Sequence, residues 1–306
     1  MLKKLMIIMT FGLFSSTLFA QDRDYSGAEL FSLDSYMYGK FEARMYMAAG
    51  SGLVSSMFLY YDDSWLGGTD PWVEIDVEVL GKSPESFQSN IISGNAAKKI
   101  MSEQHHSLAV PANRTYHTYS FEWTPSYVAW FIDGIEVRRT TAGINDPKNQ
   151  VQALVKQQSL RFNLWSSTVP AWVGAWDENI LPVNQFINWV KVYDYTPGLG
   201  PNGSNFTLAW TDNFDSFDNS RWGKGNWTFD ENRVEMHPDN VSIKDGTLIL
   251  SITKVGLEGF KGVVPVDEQP NSISPGMRSV NTTPGAHQIK TFDLNGSYLG
   301  KKEVFR

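Results

Sequence analysis

Trp72-Val-Glu-Ile-Asp-Val-Glu-Val-Leu-Gly81 alternates strictly between acids and aliphatics. Successive side chains of an extended strand point to opposite faces, so Glu74, Asp76 and Glu78 share one face. Val73, Ile75, Val77 and Val79 take the other. Like charges side by side on a strand face repel, and a strand chosen only for stability avoids them. A solvated outer face would explain a lone Glu-x-Asp pair. It does not explain three acids interleaved with four β-branched residues and closed by a glycine, a pattern that fits a central strand with one buried face.

Outward from this strand, residues 25–195 read as short strands punctuated by Gly, Pro, Asn and Asp, with no long amphipathic helix. Tyr38 to Met47 alternates, Val128 to Ile132 precedes an Asp133-Gly134 turn, and Phe186 to Tyr193 forms a further strand. Many short strands joined by polar turns predict an all-β, two-sheet sandwich, and a curved one leaves a concave cleft wide enough for a polymer.

The acids themselves point to glycosidic hydrolysis. Cα atoms four residues apart in a strand lie about 13 Å from each other at ~3.3 Å per residue. Two glutamates leaning together close that gap to about 5–5.5 Å, the retaining separation, whereas inversion needs room for a water. Asp76, with its shorter side chain, acts on its neighbours, and crowding three carboxyls raises the pKa of at least one.

Glu74-Ile-Asp-Val-Glu78 resembles the active-site strand of glycoside hydrolase family 16. It lacks the extra residue that laminarinases usually carry before the second glutamate, and so is similar to the lichenase (1,3-1,4-β-glucanase) and xyloglucan transglycosylase branches. The resemblance extends over most of residues 24–258. It implies a concanavalin-like β-jelly-roll sandwich in which Glu74 is the nucleophile, Glu78 the general acid/base and Asp76 an auxiliary acid.

The order of segments adds a second expectation. Thr196 to Asn205 is a Gly/Pro connector after the strand that usually ends this domain. The segments that follow, Trp210 to Asp218 and Asn240 to Ser251, resemble the opening of an ordinary lichenase. The chain is thus similar to a circularly permuted lichenase, an order that neighbouring surface termini permit. An independent second domain from residue 206 would have about 55 residues and no second core.

By the same resemblance the groove is lined by Phe58, Tyr60, Gln88, Asn90, Arg161, Asn163, Trp165, Trp172, Trp227 and Phe229. Arg161, Asn163 and Trp165 alternate with Phe162 and Leu164, which puts the three on one face. Sugar C–H faces pack on aromatic rings, while amide and guanidinium groups fix the hydroxyls. Asp62 stands where these enzymes typically have Asn, which alters a contact to a distal sugar. The family's structural Ca²⁺ would fall on Asn188, Asn213 and Gly246, away from the cleft, with oxygen ligands suited to that ion. No cofactor is expected for catalysis.

Composition and ends agree. Residues 1–20 read as a secretory signal: Lys3-Lys4, an apolar run from Leu5 to Phe14, and a cut after Ala20. That run is too short to anchor the chain in a membrane. Removing Lys3 and Lys4 changes the formal charge from −7 to −9, which disfavours nucleic acid as a partner. The 306 residues contain no cysteine, so packing, with or without an ion, and not disulfides, must hold a secreted fold. Most of the 18 Phe, 12 Tyr and 11 Trp must be core, and the polar-tipped ones near the acids are the candidates for stacking on sugar rings. The catalytic domain is expected over 21–258, a Pro/Ser/Asn/Thr-rich linker over 259–286, and a tail over 287–306 with a hairpin signal at Asn295-Gly296. That tail faintly resembles a bacterial sorting signal, with an inert surface hairpin as the equal alternative.

The expectation is therefore a secreted, monomeric, retaining endo-glucanase acting on β-1,4 bonds next to β-1,3 linkages in mixed-linkage β-glucan. The alternatives are a transglycosylase or laminarinase of the same family, and a non-catalytic glucan-binding module.

Overall fold

The alternation of residues 73–79 appears as the strand Glu74–Leu80, with Val73, Ile75, Val77 and Val79 wholly buried. This computed structural model describes residues 23–268, 287–292 and 298–304. The signal segment, most of the expected linker and the Asn295-Gly296 turn lie outside the described residues. Glu74–Leu80 is central: it pairs antiparallel with Leu53–Tyr60 on one side and Ser86–Asn95 on the other. Gln158–Ser166 joins Leu53–Tyr60 to Tyr25–Tyr36, and Trp222–Lys224 extends that edge. Beyond Ser86–Asn95 lie Lys98–Met101 and Gln104–Ser107.

A second layer is built around Val183–Tyr195. One of its edges carries Gly39–Tyr46, followed by His117–Trp123, Tyr127–Ile132 and Ile135–Thr141. Its other edge is shared by Thr247–Lys254 and Phe206–Asp212. The strands after the 196–205 connector therefore complete this same body. Tyr25 pairs with Lys254, so the first and last strands of this body are neighbours and link the two layers. Asp133-Gly134 and Asp245-Gly246 close two-residue hairpins with positive φ at both positions (48° and 81°, 52° and 68°), the conformation that matches strand twist.

The core lies between the layers. Ile75, Val77, Phe162 and Leu164 from the cleft sheet meet Phe41, Met45, Phe121, Trp130, Val190 and Leu250 from the outer sheet. Trp130 Nε1 donates to the Asp76 carbonyl at 2.9 Å, tying the acid-bearing strand to the opposite layer. Residues 259–268, expected as the start of a linker, are instead fastened to the outer face. Phe260 packs on Phe186 at 5.6 Å, Lys244 Nζ donates to the Gly262 carbonyl, and Asp267 grips the Arg44 guanidinium through two bonds of 2.8 and 2.9 Å. Linker-like composition does not preclude this, because a few anchoring side chains are enough to order such a segment. In the separate C-terminal unit, His287–Phe292 and Tyr298–Val304 pair antiparallel.

Candidate active site

Strand pairing assembles the cleft in transverse rows. One row runs Glu29, Asn163, Ser56, Glu78, Gln88, His105, and the next Phe31, Arg161, Phe58, Asp76, Asn90. Tyr60 and Glu74 face each other in a third. Side chains across a sheet keep to one face along such a row, so the three acids sit among nearly all the polar residues expected for the groove.

Asp76 is buried between two half-buried glutamates. Burial and the charges of Glu74 and Glu78 hold the Asp76 carboxyl well above the usual range. Burial, Glu74 and then Glu103 push Glu78 up to about 8. Burial also raises Glu74, but four groups favour its anion: the Trp72 indole, Lys99, a hydrogen bond from Asp76, and Arg161. Trp72 Nε1 donates to Glu74 Oε2 at 2.6 Å. All three carboxyls are thus raised and titrate as a set, and Glu74 is the one whose neighbours favour the anion. An anion four residues from a neutral acid on one strand face can attack a centre while its partner protonates a leaving group.

Arg161 is buried and bonded to Glu29 Oε1 at 2.6 Å and Asp62 Oδ1 at 2.9 Å, with its guanidinium 5.2 Å from the Tyr60 ring and 5.6 Å from the Trp227 ring. Asp62, which also accepts from Ser159 Oγ at 2.7 Å, is committed to this network at the cleft end near Tyr60. Ser56 donates to Asn163 Oδ1. Gln88 Oε1 accepts from Trp172 Nε1 at 3.3 Å, and Asn90 Oδ1 from the Ser102 amide at 2.9 Å. The aromatics divide into two groups. Trp165 contacts Trp172 at 5.7 Å and Phe229 at 5.0 Å, and Trp227 packs on Phe31 at 5.3 Å. Trp72, Lys99, Glu103, His105 and Glu29 also belong to the site, although none of them is among the residues expected there from the sequence. Glu29 alone carried a local signal, as one acid inside the run Ala28-Glu29-Leu30-Phe31.

Away from the cleft, Asn188 Nδ2 donates to Asp267 at 3.0 Å. The Asn213 carbonyl lies 3.9 Å from where a Cβ on Gly246 would stand, so those two residues share a corner. Among the described residues no set of three acids or histidines is arranged around a metal ion, so an ion here would rely on carbonyl and amide oxygens. No helix among the described residues is long and apolar enough to cross a membrane.

Comparison with known proteins gives consistent results. The family model "Glycosyl hydrolases family 16" matches residues 8–190. A beta-glucanase of Fibrobacter succinogenes is 58% identical over 248 residues, covering 81% of this chain and 69% of that protein. A beta-glucanase of Brevibacillus brevis is 34% identical over 176 residues, covering 57% of this chain and 62% of its own length. Among solved structures, the Bacillus licheniformis beta-glucanase aligns with a TM-score of 0.45 at 30% identity, over 54% of this chain and 70% of that one.

Proposed function

The chain belongs to the family 16 glycosyl hydrolases, and from that premise we propose that it is a secreted, retaining endo-β-glucanase that cleaves β-1,4 bonds following a 3-O-substituted glucose in mixed-linkage β-glucan. The division of charge along one strand carries this reading: an anion-stabilised Glu74, and a Glu78 whose proton is retained to about pH 8. Glu78 protonates the departing glycosidic oxygen while Glu74 attacks the anomeric carbon, breaking the C–O bond and forming a glucosyl ester. Glu78, now ionised, takes a proton from water, which attacks the same carbon and frees Glu74 with β configuration retained. Asp76 donates a hydrogen bond to Glu74 in the resting state. Arg161, Asn163, Gln88 and Asn90 supply hydrogen bonds to hydroxyls, and Phe58, Tyr60, Trp165, Trp172, Trp227 and Phe229 supply ring faces, with Asp62 acting through Arg161.

Preference for the mixed polymer is supported by the regular pairing of Glu74, Asp76 and Glu78 with Tyr60, Phe58 and Ser56, which leaves no bulge before the second glutamate. Secretion is supported by the basic and apolar N-terminal residues. A permuted chain order is supported by the adjacency of Tyr25 and Lys254, which would allow a variant opened at the 196–205 connector to fold with those ends joined. A Ca²⁺ held by Asn188, Asn213 and Gly246 would be structural, and its removal by a chelator should lower the thermal midpoint.

The deciding experiment is reducing-sugar release from barley mixed-linkage glucan, β-1,3-glucan and soluble cellulose, with Glu74→Gln and Glu78→Gln as controls. Cleavage of the mixed polymer alone, abolished in both variants, is expected. Cleavage of the β-1,3 polymer would make the chain a laminarinase. Products longer than the substrate when an acceptor is added would make it a transglycosylase, and binding without cleavage a glucan-binding module.

A further inference from the structure

Lys99 belongs to no expected groove position, yet the backbone builds a place for it. Trp72 N donates to the Gly94 carbonyl at 2.9 Å, and Gly94 is paired with Lys99 across the Ser86–Asn95 and Lys98–Met101 strands. Gly94 has φ of 96°, and a Cβ there would lie 2.3 Å from the Lys98 carbonyl, so only glycine permits this close turn of the hairpin. The outcome is an ammonium 3.4 Å from the centre of the Trp72 ring. The same indole donates its Nε1–H to Glu74 at 2.6 Å.

We propose that Lys99 is a positioning residue for the nucleophile, acting through Trp72: its cation on the indole face polarises the ring and strengthens the Nε1–H bond that orients Glu74 and favours its anion. The inference rests on the reading of Glu74 as nucleophile. A cation on a π-face draws electron density from the ring, and a more positive N–H is a better donor to a carboxylate. Other groups facing Glu74 are Asp76 and Glu78 on its own strand, Tyr60 from Leu53–Tyr60, and Arg161 from Gln158–Ser166. Arg161 divides its charge between Glu29 and Asp62, whereas Lys99 is directed at the indole. Because Lys99 is exposed, substitutions there leave the core intact.

The test uses the full chain with ¹⁵N-labelled indoles. The Trp72 Nε1–H resonance, identified by its loss in Trp72→Phe, reports the ionisation of Glu74 directly and without substrate. Lys99→Met should move its titration midpoint upward by about half a pH unit, the size of an exposed cation–π contact. Lys99→Glu should move it further, and Lys99→Arg should leave it in place. The acid limb of kcat/KM on barley glucan should follow the same order, with KM on the plateau unchanged. In a Trp72→Phe background the Lys99→Met displacement of that limb should shrink. A resonance that titrates alike in all four proteins would overturn the inference, as would an equal limb displacement with and without the indole. A rise in KM with no limb displacement would make Lys99 a sugar contact instead. If the resonance moves as expected but no glucan is cleaved, the relay stands and the functional reading falls.

Discussion

Replacing Glu78 by Gln should abolish turnover and yet stabilise the fold, by an amount that depends on pH. The unfolded chain releases the Glu78 proton near the ordinary value of 4.5, whereas the native state retains it to about 8. Between those values the native state binds the extra proton, so each pH unit gained costs stability, at about 1.4 kcal/mol per proton. Over the interval of 3.5 units between 4.5 and about 8, the ceiling is about 5 kcal/mol. Glu78 is only half-buried, and water entering from the cleft reduces the realised effect to roughly half of that ceiling. Glutamine has the same shape and never ionises, so it removes the penalty. The expected result is coincident thermal unfolding of the two proteins at pH 4 and a gap that widens to about 5–10 °C in favour of Glu78→Gln at pH 8, at about 2–4 °C per kcal/mol for a body of this size. Calorimetry across pH 4–9 measures it. A gap independent of pH, or one that widens toward acid, would show that Glu78 is not held protonated and would undo the assignment of the acid.

Arg161→Met should destabilise by about 3–5 kcal/mol, because Glu29, 2% exposed, loses its 2.6 Å partner. Adding Glu29→Gln should restore part of that loss in urea unfolding, and strictly additive losses would count against the pair. Asp267→Asn should lower the thermal midpoint by releasing Arg44, whose side chain is 7% exposed, while kcat on glucan stays unchanged because the contact lies on the outer face. A loss of kcat in a folded Asp267→Asn protein would show coupling between the two layers.

What could be read from the chain was whatever local alternation encodes. Residues 73–79 gave both the strand and its two faces, and Leu160 to Trp165 separated Phe162 and Leu164, now buried, from Arg161, Asn163 and Trp165 in the cleft. What alternation cannot supply is register between distant strands. Lys99 reaches Trp72 only because Gly94 pairs with it, and Glu29 reaches Arg161 across 132 positions of sequence. Gln88 and Asn90 were accessible through family resemblance and not through their own pattern. The 259–268 strap failed for a related reason: its anchors, Phe260 and Asp267, are isolated side chains whose partners Phe186 and Arg44 lie far away in the chain.

The same decapeptide explains how a fold tolerates a site that opposes it. Ile75, Val77 and Val79 are wholly buried on the inner face of Glu74–Leu80, and each such side chain contributes about 1.5–3 kcal/mol. Together they supply on the order of 5–9 kcal/mol, an upper figure because the unfolded chain is itself partly collapsed. That is comparable with or larger than the ceiling of about 5 kcal/mol set by Glu78 at pH 8. The Trp130 bond to the Asp76 carbonyl then fixes the strand against the outer layer, so repulsion among the acids is relieved by protonation and not by the strand moving away. A strand with polar residues on both faces would relax its geometry instead, and the carboxyls would return to ordinary ionisation. Strict alternation is therefore what keeps the three carboxyls crowded and Glu78 raised to about 8, and the chemistry of one face depends on the apolar packing of the other.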